Sequence, residues 1–153
     1  MNEHQRRECE KLRAFSSEEA ATYLIAGYGA DPGTFDKAFF LMRHRSWRRR
    51  DQVRLARHFL QKTPFRPHGQ AYPALASFMS LRLLIRLLRA VKPTENIDLF
   101  MFRSDVERVL WQRAKSPGEL AAVEQFLAEL PYSSGSRVGA RQCGASDAEN
   151  PRT

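Results

Sequence analysis

Cysteine is scarce in this chain: there are two, Cys9 and Cys143, and neither stands at metal-ligand spacing from a second ligand, so neither a disulfide framework nor a cysteine-based zinc site is expected. The four histidines, at positions 4, 44, 58 and 68, never fall three or four residues from one another or from a cysteine, as a helical metal site would require. The glycine-rich phosphate loop, the dinucleotide fingerprint and the serine nucleophile elbow are all missing. Isolated aspartates such as Asp31, Asp36 and Asp51 read as helix caps or surface groups. The expectation is therefore a protein that is not an enzyme, with no metal and no cofactor.

Alternating β-branched runs are absent too, which argues against a sheet. The longest apolar stretch, residues 71–91, is interrupted by Arg82, Arg86 and Arg89, and charges at those places are too costly at the centre of a bilayer, so no integral membrane insertion is expected. The first thirteen residues are polar and offer no apolar core for a secretory signal, from which a cytoplasmic location is expected.

What the chain does have is material for a core and an uneven charge. Apolar residues make up 42% of its 153 residues and include ten phenylalanines, enough to bury a single domain. The net charge is +8. Residues 36–69 hold ten basic side chains (Lys37, Arg43, Arg45, Arg48, Arg49, Arg50, Arg54, Arg57, Lys62 and Arg66) against two acids, Asp36 and Asp51, so this segment carries the whole excess. The other fifteen basic residues meet fifteen acids. An excess confined to one segment is the footprint of a surface that attracts polyanions, whereas compositional bias alone would spread it.

Helical punctuation is legible along much of the chain. Ser16 followed by Glu18 and Glu19 opens a helix over 17–27 with Ala20, Tyr23, Leu24 and Tyr28 on one stripe and Gly27 or Gly29 as a left-handed terminator. Asp31-Pro32 starts a second helix running to about 45, with Phe35, Ala38, Phe39 and Met42 inward. Ser46 is read as the cap of a third, ending near 62 before Thr63-Pro64. Residues 71 or 73 to 91 read as one central helix with a single arginine stripe. A further helix from 94 or 96 carries Leu99, Phe102, Val106, Val109 and Leu110, although Ser104-x-x-Glu107 also fits an internal start. Ser116-Pro117-Gly118-Glu119 combines a capping box with a first-position proline and opens a last helix with Leu120, Val123, Leu127 and Leu130 inward. The expected architecture is all-α: a compact bundle of five or six helices over 15–131, preceded by a polar segment at 1–14 and followed by a disordered tail at 132–153.

Projected at ~100° per residue, the third helix places Val53, Leu55, Ala56, Phe59 and Leu60 on one face and Arg50, Arg54, Arg57 and His58 opposite. Trp47 projects onto the basic side. There it would stack on a base while neighbouring guanidinium groups meet phosphate, unless its ring folds back over the preceding helix. The candidate nucleic-acid-binding residues are Arg43, Arg45, Trp47, Arg48, Arg49, Arg50, Arg54 and Arg57. Arg82, Arg86 and Arg89 form a second stripe, expected either to pair with acids such as Glu107 or Glu124 or to extend the first into a groove. The functional expectation is a non-catalytic protein that contacts DNA or RNA through phosphate, as an accessory subunit of a nucleoprotein complex. The same patch suits an adaptor or inhibitor that binds an acidic protein partner, because Arg and Trp are also favoured at protein interfaces. Peripheral attachment to anionic lipid through residues 75–92 is disfavoured by the width of that apolar arc.

Overall fold

The computed structural model describes residues 1–62, 70–93 and 95–131. These residues form eight α-helices and no strand, in the order α1 (Glu3–Ala14), α2 (Ser17–Tyr28), α3 (Phe35–Met42), α4 (Arg49–Lys62), α5 (Ala71–Phe78), α6 (Leu81–Leu88), α7 (Asn96–Arg113) and α8 (Pro117–Glu129), with a 3₁₀ turn at Pro32–Thr34 before α3. The all-α class is as expected, but the helix count is corrected upward for two reasons. The first is α1, which the polar composition of the amino-terminal segment concealed. Asn2 and Gln5 form a reciprocal capping box, and Cys9 and Leu12 are buried, so two well-placed apolar residues anchor an otherwise hydrophilic helix. The second is a break in the expected long central helix. Met79 is extended, the Ser80 side chain accepts from the Leu83 amide to begin α6, and the Met79 carbonyl that the break releases accepts from Arg113 of α7. The tail expected beyond 132 lies outside the described residues.

The buried side chains gather in two clusters. One is built from α1, α2, α3 and parts of α4 and α5, around Phe35, Phe39 and Phe59, whose rings meet edge-on at 5.2 to 6.0 Å. The other joins α5 to α8, with Leu75, Leu84, Phe102, Val106 and Phe126 among its members. Helix α4 serves both, giving Leu55 and Phe59 to the first and Ala56 and Leu60 to the second. Its remaining arc faces water. Two details of the expected stripes are corrected: Leu120 is exposed and Phe126 takes the inward place on α8, while Tyr23 and Tyr28 are only half-buried because their hydroxyls turn to the Glu8 carboxylate.

Gly29 closes α2 in a right-handed conformation, φ −88°, so the left-handed terminator is not found. Glycine is required there for space. A Cβ would lie 2.3 Å from Nε2 of His58 on α4 and 2.5 Å from the Ile25 carbonyl oxygen, and only the imidazole can move aside. Gly29→Ala is expected to lower stability by about 1–3 kcal/mol, read as a shift of the urea midpoint with unchanged slope.

Acid sensitivity follows from how the helix ends are tied. The Tyr23 hydroxyl, and after it that of Tyr28, holds the Glu8 carboxyl below the usual range; backbone amides at Ser16 and at Lys115 and Ser116 do the same for Glu19 and Glu119. A carboxyl depressed in the folded state contributes stability above its unfolded value, about 4.3 for Glu, and loses it as pH falls through the folded value. Thermal midpoints should therefore hold from about pH 7 to 5 and fall below about pH 4.3, with Glu8→Gln giving a shallower decline.

Candidate nucleic-acid interface

Helix α4 begins at Arg49, not at Ser46. No local serine caps it; instead the hydroxyl of Ser17, at the start of α2, accepts from the Arg48 amide and donates to Asp51. Asp51 is 1% exposed, and its Oδ1 has no hydrogen-bond partner among the described residues. A carboxylate in the first turn is favoured by the helix dipole, and this one fixes the start of α4 against α2.

The eight residues singled out in the sequence separate into two groups. Trp47, Arg45 and Arg43 are turned inward or aside. Trp47 is 6% exposed, and its Nε1 donates to the Met42 carbonyl at 2.9 Å, so the ring folds back over the end of α3 and is not presented for stacking. Arg45 lies over that ring, 4.8 Å from its centroid, and donates to the carbonyls of Leu12 and Phe15 at the carboxy-terminal end of α1. Burial pushes its guanidinium below the ordinary value, which the charge of Asp51 partly offsets. Arg43 reaches across to the side-chain and backbone oxygens of Gln70. These three side chains serve the fold, and the physical reason is the same for each: open carbonyls or an aromatic face lay within reach.

The other five remain on the water side. Arg48, Arg49, Arg50, Arg54 and Arg57 are exposed; Arg50 pairs with Glu18 of α2, and Arg54 donates to the Thr22 hydroxyl at 3.0 Å. Arg48, Arg49 and Arg57 have no ion pair among the described residues. Two grooves run beside this helix. One, of about 750 Å³, lies toward α2 and is lined by Ile25, Val53, Gln61, His58 and four arginines, Arg49, Arg50, Arg54 and Arg57. The other, of about 560 Å³, lies toward the end of α6, where Arg86 and Lys92 join Arg57. Among the described residues no carboxylate lines either groove.

The second arginine stripe is therefore divided. Arg89 makes a two-pronged pair with Glu129 at 2.8 and 2.9 Å, an acid other than the two anticipated, whereas Arg82 and Arg86 are exposed without a carboxylate partner among the described residues. Arg86 and Lys92 are the groove-lining basic residues the α4 segment alone could not reveal; for Arg86 the signal was its i, i+4 spacing from Arg82 on a helix otherwise buried. Among the described residues the exposed large apolar side chains are Met1, Ile97, Phe100, Trp111 and Leu120, none of them on α2, α4 or α6. The side chains of Lys62 and Arg66 lie outside the described residues. Among those residues no group of His, Cys, Asp and Glu is placed to hold a metal ion, and no helix is long and apolar enough to cross a membrane.

Comparison with protein-family models, with curated proteins and with solved structures gave no match.

Proposed function

We propose that this protein is a non-catalytic nucleic-acid-binding protein that holds the phosphate backbone against the α4 face, in the manner of an accessory subunit. The observation that carries this reading is the pair of grooves beside α4, lined by five arginines and a lysine and, among the described residues, by no carboxylate. Such an arrangement concentrates positive potential in two concave strips, where counterion release on phosphate binding gives affinity without sequence information. An acidic protein would meet the same charges. Phosphate is favoured because the interface lacks an exposed aromatic anchor of the kind that dominates protein hot spots, Trp47 being buried.

Fluorescence anisotropy with labelled DNA and RNA, single- and double-stranded, at about 50 and 200 mM salt tests the proposal. Binding at low salt that weakens at least tenfold at the higher salt is the expected result. Absence of binding to every nucleic acid at low salt, together with nuclease-resistant capture of an acidic protein, would replace this reading with the protein-interaction one.

A further inference from the structure

The two grooves share three lining residues: Val53, Arg57 and Gln61. Side chains that border both grooves stand on the ridge between them, and these three are spaced i, i+4 and i+8, so they form one row along α4; Val53, expected inward, is half-buried against the α5–α8 cluster and offers only its outer edge, whereas Arg57 and Gln61 are exposed. The relief at this place is thus a helical ridge with a cationic trough on each side. B-form DNA has the complementary relief, a major groove about 12 Å wide bordered by two phosphate backbones, and an α-helix with its side chains measures about 10–12 Å across.

Resting on the phosphate-binding reading above, we infer that the ligand is B-form duplex DNA, with α4 entering the major groove so that Val53, Arg57 and Gln61 meet base edges. Arg49 and Arg54 on the α2 flank, and Arg86 and Lys92 on the α6 flank, meet the backbones of the two strands.

The chemistry of the row suits base readout. A guanidinium donates in bidentate fashion to O6 and N7 of guanine, a carboxamide pairs with N6 and N7 of adenine, and an apolar side chain packs on the thymine methyl group. Eight residues of helix span about 12 Å, which covers three to four base pairs at about 3.4 Å each. Arg57 and Gln61 are exposed and make no side-chain hydrogen bond or ion pair within the described chain, so their polar groups are available to a ligand. The other nucleic acids fit less well. The major groove of an RNA duplex is too deep and narrow to admit a helix, and a single strand calls for exposed aromatic rings, which α2, α4 and α6 lack. Glu18 is the carboxylate at the margin of this face; it neutralises Arg50, and for that reason Arg50 is not assigned a phosphate.

The test uses the full chain and a pool of DNA duplexes of about 20 base pairs with a random centre, taken through repeated selection, beside RNA duplexes and single strands of the recovered sequences. The expected result is a recovered element of three to four adjacent positions that contains a guanine and an adenine, bound more tightly as DNA duplex than as RNA duplex or single strand. Arg57→Ala should lose preference for the guanine by about 5- to 150-fold together with some affinity for random duplex, and Gln61→Ala should lose preference for the adenine by a similar factor while keeping the salt-dependent binding to random duplex. Both residues are exposed, so circular dichroism should report unchanged folding. Binding without any recovered preference, or equal binding to RNA duplex or single strand, would overturn the inference and leave the phosphate-contact reading standing. Failure to bind any nucleic acid would overturn both.

Discussion

Replacing Arg49, Arg54 and Arg86 together by alanine is expected to reduce affinity for duplex DNA by about 10²- to 10³-fold near 0.1 M salt, with little effect on stability. Counterion release sets the size of the effect: each phosphate contact contributes about 0.9 to the slope of log K against log salt, so losing three removes close to three powers of ten at that concentration. Stability is spared because the three side chains are exposed and none has a carboxylate partner among the described residues; the one interaction given up is the hydrogen bond from Arg54 to Thr22. If the arginine face were only a solvated surface, the same variant would bind as the parent does. Isothermal titration at several salt concentrations separates the two outcomes, and a denaturant curve establishes that the fold is intact.

Trp47→Ala is expected to be among the most damaging single changes for stability, costing about 3–5 kcal/mol in chemical denaturation. The ring is buried against Phe78 and carries the Arg45 guanidinium on its face, and its indole N–H satisfies the Met42 carbonyl. Removing it opens a cavity and frees Arg45 from the end of α1. Trp47→Phe keeps most of the apolar volume and loses the hydrogen bond. At a temperature where that variant remains folded, its affinity for nucleic acid should equal that of the parent, because the ring is not offered to a base. A drop in affinity without a drop in stability would return Trp47 to the binding surface.

The contrast between Trp47 and Arg57 marks how far the sequence can be read. The two faces of α4 are legible because a regular helix carries its own geometry: Leu55, Ala56, Phe59 and Leu60 are buried and Arg50, Arg54 and Arg57 are exposed, as the 3.6-residue period demands, whereas Val53 and His58, at the borders, are both half-buried, His58 being held by the Gly29 carbonyl. Helical projection includes Trp47 in a helix to which it does not belong. The start of α4 is set by Ser17, thirty-one residues away from Arg48, and no local pattern announces a cap supplied from such a distance. Arg43 and Arg45 leave the expected face for a related reason. Their charge is visible in the sequence, but the oxygens of Leu12, Phe15 and Gln70 that claim them come from other parts of the chain. At Ser80 the signal is present and outweighed. A serine between Met79 and Leu81 looks like a lone polar residue in an apolar run, and it becomes a cap because Arg113 satisfies the carbonyl released by the break. The serine cap at Ser16 and the capping box at Ser116, by contrast, are both readable and both formed, the first also closing into a box through Glu19, since every group in them lies within four residues.

The most direct measurement is the salt dependence of binding to a DNA duplex of about 20 base pairs. Three to four phosphate contacts from Arg49, Arg54, Arg86 and Lys92 predict a slope of log K against log salt of about −3 to −4. A slope near zero, or no measurable complex at about 50 mM salt, would contradict the claim that these side chains form one unneutralised surface for phosphate.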